Sequence, residues 1–224
     1  MIVNEYSKSE SDVRSWPTDA AARHALRSFF VELAAHDNFV PELVGRGLDF
    51  RGADLSGLQL AGVDWTSADL SGVEMKSSSL VDAWFLGARL IGTDFTGSNL
   101  RKAQFRGCSA RDSILVGAQL NKTDMSDSDF RGADLHNTAL DQAFMFHIDL
   151  RGANLAGCSL ATQPWNADLS HARLNGATVK GMRGDVTYPI DIGAEEPNIL
   201  EGRALQQWFA DNGAPEVVVL DRTS

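Results

Sequence analysis

Five histidines, two cysteines and thirty carboxylates are the groups in these 224 residues that could act as bases, nucleophiles or metal ligands. His24, His36, His136, His147 and His171 fall at no metal-ligand spacing, so no metal is expected. Cys108 and Cys158 make neither a metal site nor a disulfide framework by themselves. No nucleophile elbow, HExxH, P-loop or dinucleotide fingerprint is present, and no cofactor is implied. One set remains. Ser126 precedes Asp127, and His147 lies twenty residues further on. A hydroxyl, a carboxylate and an imidazole in one neighbourhood can support acid–base chemistry. A plain surface Asp–His pair is the simpler reading, and a non-enzymatic protein is expected.

The carboxylates raise a second chemistry, the imitation of a polyanion. Acids exceed bases by 30 to 20, for a net charge of −10 and a pI near 4.9. That balance argues against direct binding of nucleic acid, which needs a basic face. It leaves a binder of basic partners or a DNA imitator. The start of the chain has no apolar core of signal-peptide length, and the longest apolar runs, such as Val217 to Leu220, fall far short of the ~20 residues that span a bilayer. A cytoplasmic protein without membrane contact is expected.

What would position these groups is a repeat. From Phe50 to Leu160 a large apolar residue recurs every five positions, and the series resumes at Leu169, Leu174 and Val179. Of those 26 positions 25 are large and apolar, Ala110 being the exception, so the period is a structural rule of the chain. Two residues earlier the side chain is usually Ala, Ser, Thr or Cys, and two residues later it is often Gly, as in Ala53-Asp54-Leu55-Ser56-Gly57. Neither ordinary element accepts this period. Five residues of α-helix turn about 500°, which leaves no fixed apolar face. In a flat strand an odd step sends successive large residues to opposite sides. Both apolar positions stay inside only if the backbone turns a corner in every unit, where glycine tolerates positive φ.

Ala53-Asp54-Leu55, Ala68-Asp69-Leu70, Arg131-Gly132-Ala133-Asp134-Leu135 and Arg151-Gly152-Ala153-Asn154-Leu155 resemble the A(D/N)LXX motif of the pentapeptide-repeat family. The resemblance implies an all-β solenoid, a right-handed quadrilateral β-helix with four units per coil. A 20-residue superperiod supports four sides: positions 60, 80, 100, 120, 140 and 160 are all Leu, and 65, 85, 105, 125, 145 and 165 are all aromatic or Met. The sides carrying Phe50, Leu55, Leu60 and Trp65 are here called one to four. On this plan residues 1–14 are a disordered tail, 15–47 a helical cap, 48–181 the β-helix, and 182–224 a C-terminal helix and strand. The helices are expected near 18–36 and 198–211, the strand at Val217 to Leu220. The phase slips by one residue near Gln163-Pro164-Trp165, which puts Asp168 on side one and Arg173 on side two.

Three functions follow. The family's MfpA-like and Qnr-like members imply DNA mimicry against a type II topoisomerase, DNA gyrase, giving fluoroquinolone resistance. The surface for it would be the side-two column Asp54, Glu74, Asp94 and Asp134. Residues 48–179 hold 15 acids and 11 bases, whereas ~30 Å of duplex carries roughly 18 phosphates. On side one, Asp49, Asp69, Asp112, Asp129, Asp149 and Asp168 have Arg51, Arg89, Arg111, Arg131 and Arg151 close enough to pair. A scaffold for another protein partner is suggested by outward apolar residues: Trp84, Leu86, Phe144 and Phe146 on side four, Ile114 and Val116 on side two. The least favoured is an enzyme using Asp127 and His147. The resemblance also implies a homodimer through the C-terminal segment, with Leu205, Trp208 and Phe209 as its contacts.

Overall fold

The structure is a computed structural model that describes residues 9–35, 41–162 and 167–220. Its middle is a stack of coils. As far as Ala139, each residue just before a large apolar one forms a parallel bridge to the residue twenty further on: Asp49 to Asp69, Asp54 to Glu74, Gln59 to Ser79 and Asp64 to Trp84 stand at the start of four ladders that recur coil after coil. The hydrogen bonds repeat with the same step. Phe50 N–H donates to the Asp69 carbonyl at 2.8 Å, and Leu70 N–H, one coil on, donates to the Arg89 carbonyl at 2.8 Å.

The corner is where the five-residue period meets the backbone. Every fifth residue from Gly47 to Gly157 has positive φ, between 55° and 82°. Glycine takes most of these corners, but Ser67, Lys102, Asp127, Gln142 and His147 take them too. The residue before each large one explains why Asp or Asn is so common there. Asp54 Oδ1 accepts from Ser56 N–H, Asp69 from Ser71 N–H, Asp94 from Thr96 N–H, and Asn154 Oδ1 from Ala156 N–H. These side chains pin the turn locally.

Inside, the columns are mostly apolar. Phe50, Leu55, Leu60, Trp65 and their successors are buried, and so are the small residues two positions earlier. Buried hydroxyls at the small positions bond backbone carbonyls: Ser78 Oγ donates to Leu55 O and Thr93 Oγ1 to Leu70 O, each at 2.8 Å. Cys108 and Cys158 are free and buried at such positions, and burial pushes the Cys158 thiol up to about 11. Gly45 stands in the column of Trp65 because an added Cβ would lie 2.6 Å from the Trp65 ring.

At the first coil, Val13 is buried, and Asp54 N–H donates to Ser15 O at 2.9 Å. A 3-10 turn, Glu10–Asp12, precedes it. Residues 9–14 are therefore folded onto the coil, where the sequence suggested a free tail. Helix α1, Ala20–Ala35, buries Ala22, Leu26, Phe29, Phe30 and Leu33, at helical spacing, in one core with the coil. The ladders start at Val44, earlier than residue 48.

The phase change near Gln163-Pro164-Trp165 is an insertion of four residues, not a loss of one. Phe144 bridges Asp168, Asp149 bridges Arg173 and Asn154 bridges Thr178, each 24 residues apart. Asp168 therefore lies on side four and Arg173 on side one. The two readings share the same phase modulo five, so the period alone cannot separate them. Trp165 itself lies outside the described residues.

The chain then forms β1, Arg183–Val186, β2, Ile190–Asp191, and β3, Ile199–Leu200, with β2 and β3 antiparallel. Helix α2, Gly202–Asp211, is shorter than expected because Ile199 and Leu200 are strand. Strand β4, Glu216–Val219, pairs in parallel with β1, Arg183 against Glu216 through Val186 against Val219.

Candidate functional site

Side four carries the aromatic face. Its outward column runs Val44, Asp64, Trp84, Gln104, Asp124, Phe144, Asp168. Trp84 is 49% exposed and Phe144 57%, while Leu86 and Phe146 beside them are half-buried. Three coil steps separate the two aromatics, about 14 Å at strand spacing. No described segment covers either one to the degree of burial seen in the core. Ile114 on side two, 37% exposed, is a smaller patch.

The same side brings the sequence's acid–base candidates together. His147 Nδ1 lies 3.6 Å from Asp127 Oδ1, and the His147 ring stacks on Phe146 with centroids 3.9 Å apart. His171 joins them, 5.0 Å from His147. Asp127 is also 3.4 Å from Arg106 Nε, and both Asp127 and His147 are about half exposed. Ser126 is buried. A cavity of about 300 Å³ lies elsewhere, lined by Leu160, Arg183, Gly184, Glu216 and Val218 among others. The Asp–His pair thus sits on an open wall, held by a cation and a ring. Among the described residues no cluster of His, Cys, Asp or Glu is arranged to hold a metal ion.

Side two holds the proposed acidic column, but its charges are engaged. Asp54, Asp94 and Asp134 each accept a backbone N–H two residues on. Lys76 Nζ reaches both Glu74 (2.9 Å) and Asp94 (3.3 Å), and His136 Nδ1 lies 2.7 Å from Asp134. Ile114 interrupts the column between Asp94 and Asp134.

Side one is an ion-pair ladder. Arg51 joins Asp49 and Asp69, and Arg89 also reaches Asp69. Further along, Arg111 and Arg131 share Asp129, Arg131 and Arg151 share Asp149, and Arg173 bridges Asp149 to Asp191. Hydrogen bonds from the Arg51 side chain hold the Asp49 carboxyl down to about 2. The Arg131 guanidinium, helped by Arg111, holds Asp129 well below the usual range. Partial burial raises Asp149, but the Arg151 side chain and backbone bonds outweigh it and leave it lowered. Carboxylates depressed by folding stabilise above their unfolded pKa, and that contribution is lost as pH falls through the folded one. Urea midpoints should therefore fall between roughly pH 4 and pH 2, starting from the ordinary Asp value of about 3.9. The double variant D129N/D149N should show a shallower fall over that window; an unchanged slope would contradict this assignment.

The C-terminal residues take places the sequence did not distinguish. Leu205 and Phe209 are fully buried in the chain's own core; Trp208 is half-buried, edge-on to Phe209 at 5.1 Å. The residues missed altogether are Gly184 and Gln206, whose roles depend on contacts between segments far apart in the chain.

Comparison with known proteins decides what this stack is. The family model for pentapeptide repeats matches in eight copies, with segments spanning residues 49–162. The chain belongs to the pentapeptide-repeat family. Its fold is accordingly the family's right-handed β-helix. Among solved structures it is similar to HetL, a pentapeptide-repeat protein involved in heterocyst differentiation regulation in the cyanobacterium Nostoc sp. strain PCC 7120. That likeness has 25% identity over 67% of this chain and 72% of HetL, with a TM-score of 0.62. It is also similar to QnrB1, a plasmid-mediated fluoroquinolone resistance protein, at 16% identity over 81% of this chain and 92% of that one; the TM-score is 0.45, too low to carry a functional argument. No curated protein sequence matches the chain. Among the described residues no helix is long and apolar enough to cross a membrane. A pentapeptide-repeat chain of this kind is a scaffold whose function lies in what its faces hold.

Proposed function

We propose that this protein is a non-enzymatic, cytoplasmic protein-binding scaffold. It is a quadrilateral rod closed by α1 at one end and by the C-terminal segment at the other, and it takes its partner on side four. The single observation that carries this reading is the exposure of Trp84 and Phe144 in one outward column of a rigid ladder. Large aromatics held at fixed spacing on a pre-ordered wall anchor a partner at little conformational cost. Leu86 and Phe146 flank them as the rim. HetL's involvement in the regulation of heterocyst differentiation agrees with a rod that acts through other proteins.

A type II topoisomerase, DNA gyrase, is the best named partner for the alternative surface, Asp54, Glu74, Asp94 and Asp134, with antibiotic resistance as its outcome. It is the weaker reading, since these carboxylates already serve the turns and their cations. A homodimer through the C-terminal segment would rest on Trp208, because Leu205 and Phe209 are taken up inside the chain.

The test compares two variants that keep the fold, judged by an unchanged melting temperature. W84S/F144S should lose the protein that wild type captures by photo-crosslinking from side four, at least tenfold. The quartet D54K/E74K/D94K/D134K should retain it, and purified wild type should leave gyrase supercoiling untouched. Capture that survives W84S/F144S but disappears in the quartet would reverse the assignment in favour of the acidic column.

A further inference from the structure

A solenoid built from parallel ladders has a built-in hazard: its last strand offers the same backbone groups as every strand before it. Ladder three runs from Gln59 through Ser159 to Arg183, and β4 adds a last rung on β1. In a strand, successive residues turn their N–H and C=O groups to opposite edges. Leu220 N–H donates inward to the Val186 carbonyl at 2.9 Å, so Val217 and Val219 turn theirs outward. These are the groups onto which another strand would add.

Two of them, the Val217 carbonyl and the Val219 N–H, are occupied by one side chain. Gln206, on α2, donates from Nε2 to the Val217 carbonyl at 2.6 Å, and its Oε1 accepts from Val219 N–H at 2.9 Å. A primary amide carries a donor and an acceptor side by side, as a peptide group at a strand edge does. Gln206 therefore stands where the next strand would stand. The remaining outward donor near it, Val217 N–H, is taken by the Ala214 carbonyl at 3.2 Å.

We propose that Gln206 is an edge-closing residue, a one-residue substitute for a strand, and that it keeps a second copy of this chain from adding to β4. The occupant follows from the ladder itself. Among the described residues no strand pairs with Gln59 from the outer side, so the first coil of another copy presents a parallel edge at the start of ladder three. Addition of that edge to an opened β4 is head-to-tail. Such contacts do not close on themselves and generate linear oligomers.

The amide's two roles make the proposal testable without disturbing helix α2. Met has nearly the same length and good helix propensity but neither donates nor accepts as an amide does. Gln206→Met should keep the far-ultraviolet circular dichroism of wild type. At low micromolar concentration its Val219 amide should exchange with solvent at least tenfold faster. At higher concentration its mean mass in sedimentation should grow continuously, while wild type under the same conditions does not polymerise. Gln206→Glu keeps the acceptor for Val219 N–H but places a carboxylate against the Val217 carbonyl, so it should also open the edge. Equal Val219 exchange in Gln206→Met and wild type, or a mean mass no more concentration-dependent than that of wild type, would overturn the proposal. Should the variants fail to fold, wild type alone decides. Slow exchange at Val219 despite its place on the last strand supports the closure, and exchange at the rate of an open peptide overturns it.

Discussion

Gly184→Ala should strip the C-terminal segment from the rod while leaving the coils intact. Gly184 occupies the position of a large inward residue in ladder three, following Leu160, and has φ +107°. An added Cβ would lie 1.6 Å from the Leu160 carbonyl oxygen and 2.5 Å from its carbon. Both atoms are backbone, and Leu160 is itself fixed by its N–H bond to the Arg183 carbonyl at 2.9 Å. No rotamer change can relieve the clash, so β1 must leave the ladder. Strand β4 pairs with β1, and α2 is tied to β4 through Gln206, so all three should detach together. The cost should exceed about 3 kcal/mol, as for backbone overlap combined with a strained φ. Gly181→Ala is the control: its φ is +71°, but its nearest neighbours lie at 3.9 Å, so only the conformational cost of roughly 1 kcal/mol applies. Limited proteolysis should cut Gly184→Ala within residues 183–220 and leave Gly181→Ala resistant. Equal resistance in the two would contradict the packing described for Gly184.

Phe105→Ala should produce the largest loss within the coils. Phe105 is fully buried and lies stacked on Phe85 at 4.8 Å, with Phe95 and Phe130 set edge-on at 6.2 and 6.0 Å. Removing the ring empties the point where rings from sides one, two and four meet. The expected cost is about 3–5 kcal/mol, the range for a fully buried Phe. In a solenoid each coil contacts only its neighbours, so the defect should also weaken the coupling between the two halves of the rod. A melting temperature lower by roughly 10 °C and a broader thermal transition are expected. Phe146→Ala, on the outer surface of side four, should shift the midpoint far less. A Phe105→Ala protein that melts with wild type would mean that the interior columns do not hold the rod together.

Much of this architecture was legible in the residues, and the misses have physical reasons. The five-residue step of Leu55, Leu60 and Trp65 forces a corner in each unit, and the corners fall at positive φ even where Lys102 or His147 replaces glycine. The pairing of Asp127 with His147, and of Arg89 with Asp69 and Arg111 with Asp129, followed from the 20-residue coil. The ladder displaced Asp168 and Arg173 by one side, because a four-residue insertion and a one-residue deletion leave the same phase. Leu205 and Phe209 were expected as dimer contacts, but the sequence of a helix does not say whether its apolar residues meet their own chain or another; here both are buried inside the chain. The roles of Gly184 and Gln206 were not legible because each depends on a backbone brought in from a distant segment: Leu160 for the one and β4 for the other. Trp84 and Phe144 were legible as outward residues by position alone; that they remain exposed needed the placement of both ends.

The claim on which every surface here depends is that residues twenty apart are strand neighbours on one side. A disulfide between Cys replacements at Gln104 and Asp124 tests it. The two form a parallel bridge, and neighbouring strands lie about 4.8 Å apart, within the reach of a disulfide. The native cysteines are buried and will not compete. Q104C/D124C should oxidise nearly completely under mild conditions. Q104C/D127C, with its second cysteine moved three residues along and around the corner, should not. Equal oxidation of the two pairs, or none in either, would contradict the coil.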